Sequence, residues 1–385
     1  MTLASSGFMK NYVSNLLLLC IVLLLSFIAA EITIRSLAEV DVDGQWMIFK
    51  KPLYPYMLPV QSLEKDIKQY NETSYIMMDS LLGWTIRPNA AGSRGQSNSK
   101  GLRGEEINEN ATVTIALFGD SFVHGDDVFY NETWASFLRE KIPNSEVLNF
   151  GVGGYGLDQS YLRWKNEGQY YYPDIVLIGF QPENCLRNLN IIRDFYFRHN
   201  GIPFSKPRFI VNNSNLELVN SPTIPIGEIS TVVSHAKNNS LMRYEYFYDP
   251  SDYKPNVAFN SKFIAAFYSY YRFRLEREFE LNRFFTTEDA TLCSTLLQQF
   301  VREAQNTSEV FIVHLPTKEH LNYGNTYAHI WKSVQDKVID PSSVLQNYPI
   351  SEIYINHFTP LGNEIVAQVI LEELNEKSVV LKSIS

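Results

Sequence analysis

Val113-Thr114-Ile115-Ala116-Leu117-Phe118-Gly119-Asp120-Ser121-Phe122 is the stretch on which the reading of this chain turns. The apolar, β-branched run reads as a strand. It ends in glycine and a short polar group, which places Ser121 outside the carboxyl edge of a sheet. Glycine takes a tight turn there without a Cβ clash, and Asp120 accepts hydrogen bonds from loop amides. Ser121 then reads in two ways, as a nucleophile on a turn or as the cap of the next helix.

The residues that follow alternate strand and helix. Asn131-Glu132-Thr133 caps a helix with Trp134, Phe137 and Leu138 on one face, and Val147-Leu148-Asn149-Phe150 is a short strand. The glycine-rich Gly151-Val152-Gly153-Gly154-Tyr155-Gly156 leads into a helical run from Leu157 to Tyr171 and then a buried-type strand, 174–180. That loop lacks the glycine spacing of a dinucleotide fingerprint, and no acidic residue ends the next strand to hold a ribose. Later, Thr291 to Ala304 reads as an amphipathic helix, Val310 to Pro316 as a strand and Glu364 to Leu374 as a helix. The fold class expected is α/β, a three-layer α/β/α arrangement with a mainly parallel sheet.

The amino-terminal side carries a different signal. From Tyr12 to Ala30 no residue is charged, and Leu16–Ala30 is almost wholly apolar. This is long enough for a transmembrane helix, and no small-x-small cleavage site follows it. Lys10 precedes the span, whereas Glu31, Glu39, Asp41 and Asp43 follow it with Arg35 alone opposing them. The positive side stays in the cytoplasm, so the bulk of the chain is expected outside, with the helix as its membrane partner. The net charge of -9 argues against a nucleic-acid partner. Of the three cysteines, Cys20 lies in the apolar run, and Cys185 and Cys293 are far apart. The expectation is of two buried free thiols, with one Cys185–Cys293 bridge as the alternative in an oxidising compartment.

Taken together, Gly119-Asp120-Ser121-Phe122, Asn149-x-Gly151-x-x-Gly154, Glu183-Asn184 after a hydrophobic strand, and His357 near the carboxyl end resemble the four blocks of the SGNH, or GDSL-like, hydrolases. The flanking text, including Leu82-Gly83-Trp84, Gly101-Leu102-Arg103 and Gly154-Tyr155-Gly156-Leu157, is similar to a membrane-anchored bacterial branch of that family. The resemblance implies a flavodoxin-like SGNH hydrolase fold with Ser121 as nucleophile and His357 as base. The oxyanion hole would comprise the Ser121 amide, the Gly154 amide and the Asn184 side chain. The expected organisation is a cytoplasmic tip and anchor at 1–35, a lead-in segment at 36–110 packing on the core, and a hydrolase-like domain at 111–385 with an insertion at about 186–285 where the sheet pattern is interrupted.

One departure stands out. The family usually places aspartate three residues before that histidine, and this chain has Tyr354 there, with Ile355 two before. Three outcomes stay open: a Ser121–His357 dyad, a substitute acceptor such as Glu352 or Asn356, or a degenerate site. His314, inside an apolar run, and His124 are expected in core and loop roles. The aromatic run from Phe263 to Phe285 either lines a substrate cleft or packs a helix onto the core, with packing preferred. The functional expectation is a serine esterase, with carbohydrate esters among its candidates. It would act through an acyl-serine on an extracytoplasmic glycan or lipid ester. The alternatives are an O-acyltransferase on a cell-surface glycan and a non-catalytic glycan-binding or scaffold protein. No metal and no organic cofactor is implied.

Overall fold

The computed structural model describes residues 3–198, 200–212, 215–283, 288–323 and 327–384. Of the aromatic run read from sequence, the end at Phe285 lies outside the described residues.

The contacts divide the chain into two units, one of Leu63–Phe247 with Asn282–Ser385 and one of Met1–Ser62 with Tyr248–Leu281. The larger unit is built on five parallel strands: β1 (Val113–Phe118), β2 (Ser145–Asn149), β3 (Ile175–Phe180), β4 (Glu309–His314) and β5 (Val338–Ile339). Their order across the sheet is 2-1-3-4-5. This is the flavodoxin-like doubly wound order, in which ligands bind at the carboxyl ends of the strands where the winding reverses, here between β1 and β3.

Alternation along each strand feeds two separate cores. Ala116 and Phe118 of β1, with Val176, Ile178 and Phe180 of β3, face α3 (Leu157–Asn166) and α6 (Glu288–Ala304), which contribute Leu157, Tyr161, Trp164, Leu296 and Phe300. Val113, Ile115 and Leu117 face the other way, onto α2 (Trp134–Lys141) and α7 (Pro360–Lys377) through Trp134, Leu138, Val366 and Ile370. Helices on both faces explain why β1 and β3 carry nearly continuous apolar runs. The expected three-layer arrangement with a mainly parallel sheet is what the chain adopts. Helix α7 begins at Pro360, four residues before the sequence-based start, because Thr359 caps it and proline suits the first helical position.

Leu82, Trp84 and Leu102 are buried in the first core, and the Trp84 indole donates to the Gly153 carbonyl at 3.1 Å. Residues Arg208–Asn212 and Asn215–Val219 pair as an antiparallel hairpin. This inserted region is tied down by buried charge: Lys206 donates to Asp158 of α3 and, at 3.3 Å, to the Asn190 carbonyl. One expectation fails here. Cys185, on α4 (Glu183–Arg187), and Cys293, on α6, are joined as a disulfide rather than left as free thiols. Both helices pack on the same face of the sheet, which brings the two Cα atoms to 5.2 Å although 108 residues separate them.

In the smaller unit, α1 (Leu3–Leu37) runs unbroken through the apolar segment, and Tyr12–Leu37 has mean hydropathy 2.7 with none of its window buried. Helix α5 (Lys262–Arg283) starts beside it, with the Glu31 carboxylate accepting from the Lys262 and Phe263 amides and from the Ser261 hydroxyl. The aromatic pattern of α5 is only half used for packing. Tyr268 meets Tyr54 edge-on and packs at a tilt against Phe259, while Phe267, Tyr270 and Tyr271 face solvent.

Candidate active site

Ser121 opens a one-turn helix, Ser121–His124, where β1 ends. Asp120 caps it by accepting from the Phe122 amide at 3.0 Å. Gly125, at φ +80°, closes the turn in the left-handed region that favours glycine, and its amide returns to the Ser121 carbonyl. The chain therefore doubles back at once. Asp126 and Asp127 follow, the latter itself at φ +71°, a conformation aspartate tolerates better than most residues.

His357 reaches this turn from the segment before α7. Its Nε2 lies 2.9 Å from Ser121 Oγ, and its Nδ1 lies 2.8 Å from Asp127 Oδ2. A proton on Nδ1 directed at the carboxylate leaves Nε2 to accept from the serine hydroxyl, so the three side chains form a continuous hydrogen-bonded series. The imidazole is held edge-on by the Phe122 ring at 4.9 Å between centroids. Its segment is fixed by the Tyr354–Phe358 bridge and by the Ile355 amide donating to the His357 carbonyl at 3.0 Å.

The acceptor at Nδ1 is therefore Asp127, not Glu352 or Asn356. Both sequence-based candidates are exposed, and the Glu352 carbonyl takes the Thr359 hydroxyl. Tyr354, in the position where the resemblance leads one to look for aspartate, is buried against Phe122 and Phe358. Its hydroxyl is pushed up by burial. Asp127 lies outside the histidine's own segment, 230 positions from it in sequence, where no local spacing points to the pair. The available signal was Gly125-Asp126-Asp127: a helix-ending glycine followed by carboxylates, within one reversal of Ser121.

A second series lies alongside. His124 pairs through Nδ1 with Asp126 and through Nε2 with the Tyr75 hydroxyl at 2.9 Å. Burial pushes the His124 imidazole below its usual range. Burial alone raises Asp126, but its bond to His124 and the nearby His357 outweigh that and hold it low. His124, expected in a plain loop role, instead closes the one-turn helix, where it is buried and holds the carboxylate next to Asp127. His314 is a core histidine, bonded to Asp340 and to the Tyr327 hydroxyl, each at 2.8 Å.

The glycine loop after β2 is drawn against the Ser121 turn. Asn149 spans the two, donating to the Val123 carbonyl at 2.8 Å and accepting from the Gly151 amide at 2.9 Å. A Cβ on Gly151 would lie 2.4 Å from the His124 amide nitrogen, so only glycine permits this approach. Gly154 has φ +81°, and its carbonyl accepts from Arg193 at 3.3 Å. Asn184, from the start of α4, is oriented by the Gln181 amide on its Oδ1 at 2.8 Å. Its amide hydrogens are directed to Asp120 at 2.9 Å and to the Tyr155 carbonyl at 3.2 Å. Asp120 also receives Gln181 and, at 2.7 Å, Arg187. Burial works against the Arg187 charge, but Glu183 and Asp120 more than offset it and raise its pKa. Ser121 and Asn184 open short helices just past the carboxyl ends of β1 and β3, and Gly154 lies in the loop after β2. Asn184 is tied to the residue preceding the serine.

No family model matches this chain, and no curated protein matches it. Among solved structures it is similar to a member of the lipolytic protein G-D-S-L family from Veillonella parvula, at 12% identity and TM-score 0.37 over 69% of this chain and 99% of that one. It is also similar to an acetyl xylan esterase, at 13% identity and TM-score 0.36 over 68% of this chain and 100% of that one. A lipase/acylhydrolase from Enterococcus faecalis aligns at 13% identity and TM-score 0.35, over 69% of this chain and 97% of that one.

Proposed function

We propose that this chain is a serine ester hydrolase of the SGNH type, with Ser121 as nucleophile, His357 as base and Asp127 as the acid that orients it. The observation that carries this reading is the pair of contacts at His357, 2.9 Å to Ser121 Oγ and 2.8 Å to Asp127 Oδ2. A base within hydrogen-bond reach of a hydroxyl, itself oriented by a third group, is the arrangement that activates a serine at neutral pH. Ser121 Oγ attacks the acyl carbon as His357 Nε2 takes the hydroxyl proton, and that proton passes to the departing alcohol. Water then attacks the acyl-serine with His357 again as base, releasing the acid and restoring the serine. The Ser121 and Gly154 amides receive the oxyanion, joined by Asn184 once its longer bond, to the Tyr155 carbonyl, is exchanged for substrate. The incentive to read the site as degenerate was the missing carboxylate before His357; Asp127 supplies one from another loop.

We further propose that α1 is an uncleaved membrane anchor and that the larger unit works outside the cytoplasm on esters of surface glycans or lipids. The charge asymmetry around α1 supports the orientation. The Cys185–Cys293 bond suits an oxidising compartment. The test of the activity is hydrolysis of 4-nitrophenyl acetate by the full chain in mild detergent. Ser121→Ala and His357→Ala are expected to fall to the uncatalysed rate with unchanged circular dichroism. Full activity in Ser121→Ala removes the proposal.

A further inference from the structure

The uncharged stretch before Glu31 is as long as the hydrocarbon core of a bilayer, so Glu31 lies at its boundary and Phe27 one helical turn inside it. Helix α5 starts at that depth. The Phe27 and Phe263 rings meet edge-on at 5.6 Å, and Glu31 accepts from the Lys262 and Phe263 amides at 3.0 and 2.8 Å. Arg35, one turn above Glu31, donates to the Asn260 carbonyl at 2.7 Å. Trp46 completes the junction, with the Arg35 guanidinium 5.6 Å and the Lys262 ammonium 4.8 Å from its ring. Tryptophan beside basic side chains at the end of an apolar span is the composition of a membrane interface.

From this fixed start, α5 presents an apolar stripe that is exposed among the described residues. Ile264 is 37% exposed, Phe267 68%, Tyr270 62% and Tyr271 54%. Positions 264, 267 and 271 follow helical spacing, so these side chains share one face. The opposite side is packed: Ala265 is fully buried, and the Ser269 hydroxyl accepts from the Tyr54 amide at 2.9 Å. An exposed aromatic stripe of this kind marks an interaction surface, and its first residue directly follows the one that touches the membrane span.

We infer that the Ile264–Phe267–Tyr271 face of α5 is a second membrane contact, lying in the headgroup and upper acyl region of the leaflet from which α1 emerges. This rests on reading α1 as a membrane anchor. A bilayer is the occupant that the geometry favours over a protein, because Phe263 is held against a residue of the span itself. Tyrosine at the far end of the stripe suits the wetter level, where its hydroxyl meets water or headgroups.

The test uses the full chain, with Cys20→Ser to remove the free thiol, reconstituted singly into nanodiscs of mixed zwitterionic and anionic lipid. Nitroxide labels go on Ile264→Cys, Phe267→Cys and Tyr271→Cys, with Leu24→Cys in the span and Tyr172→Cys, 80% exposed in the larger unit, as references. Relative accessibility to oxygen and to a water-soluble nickel chelate reports depth. The expected result is lipid-side accessibility at 264 and 267, an intermediate value at 271, water at 172 and the deepest value at 24. Water-like values at 264 and 267 with a deep label at 24 overturn the second contact and leave the anchor standing. Low accessibility to both reagents at 264 and 267 means protein covers the stripe, and also overturns it. A water-like label at 24 shows that the anchor reading itself is wrong, and the inference falls with it.

Discussion

Replacing Asp127 by asparagine isolates the part of the site that the sequence did not supply. Asparagine keeps the shape and tolerates the left-handed backbone at φ +71°, so the turn survives. The loss is electrostatic and tautomeric. At 2.8 Å the attraction between the carboxylate and an imidazolium is about 1.5 kcal/mol at the dielectric of water and about 6 kcal/mol at ε near 20. The Asp127 side chain is 48% exposed and that of His357 22%, so solvent screening puts the contribution near the lower end, about 2–3 kcal/mol. That corresponds to roughly 10²-fold in rate. Asparagine also offers an N–H to Nδ1, which favours the wrong tautomer, and in a buried triad that substitution costs about 10⁴-fold. Asp127→Asn is therefore expected to lower kcat for a chromogenic acetate ester by between about 10² and 10⁴. Asp127→Ala should sit near the lower bound, and Glu352→Gln near wild type. An Asp127→Asn enzyme within about threefold of wild type, beside an inactive His357→Ala, would refute the assignment of the acid.

Other consequences concern the scaffold. Lys206→Met leaves Asp158 charged and buried without its partner, and should cost about 3–5 kcal/mol in urea unfolding in detergent, most of it recovered by adding Asp158→Leu. No recovery in the double variant would mean that the pair is not the source of the loss. Although burial raises the Asp340 carboxyl, His314 and Ser342 outweigh it and bring it down to about 2. Its folded pKa is thus below the unfolded value of about 3.9, so its contribution is present above pH ~4 and is lost as pH falls towards 2. Asp340→Asn should flatten the acid limb of the urea-midpoint profile, and an unchanged limb would contradict the pairing. Thiol titration of the denatured, unreduced full chain should find Cys20 alone, rising to all three cysteines after reduction. Three thiols before reduction would remove the bridge.

The sheet was readable because β1, β3 and β4 are long and apolar with turn residues at their ends, and the helices between them carry one-sided patterns. The two-residue β5 offers no pattern to read. Ser121, Gly154, Asn184 and His357 each lie in a local motif, so their loops could be placed one at a time. What joins them is long-range. Asp127 and His357 are 230 positions apart, and their meeting depends on Gly125 reversing the chain after Ser121. The Asn184 amide was recognisable as a donor, but its acceptors, Asp120 and Tyr155, come from two other loops. Cys185 and Cys293 meet because α4 and α6 cover the same face, which spacing alone does not encode. The aromatic run of α5 gave its helical period, and only the fold showed which half of it is left uncovered.

The most direct measurement is intact mass of the full chain after reaction with a fluorophosphonate probe, for wild type, Ser121→Ala and His357→Ala. An activated serine predicts one adduct on the wild type, none on Ser121→Ala and strongly slowed labelling of His357→Ala. No adduct on folded wild-type protein, or an adduct that persists in Ser121→Ala, would contradict the proposal that Ser121 is the nucleophile.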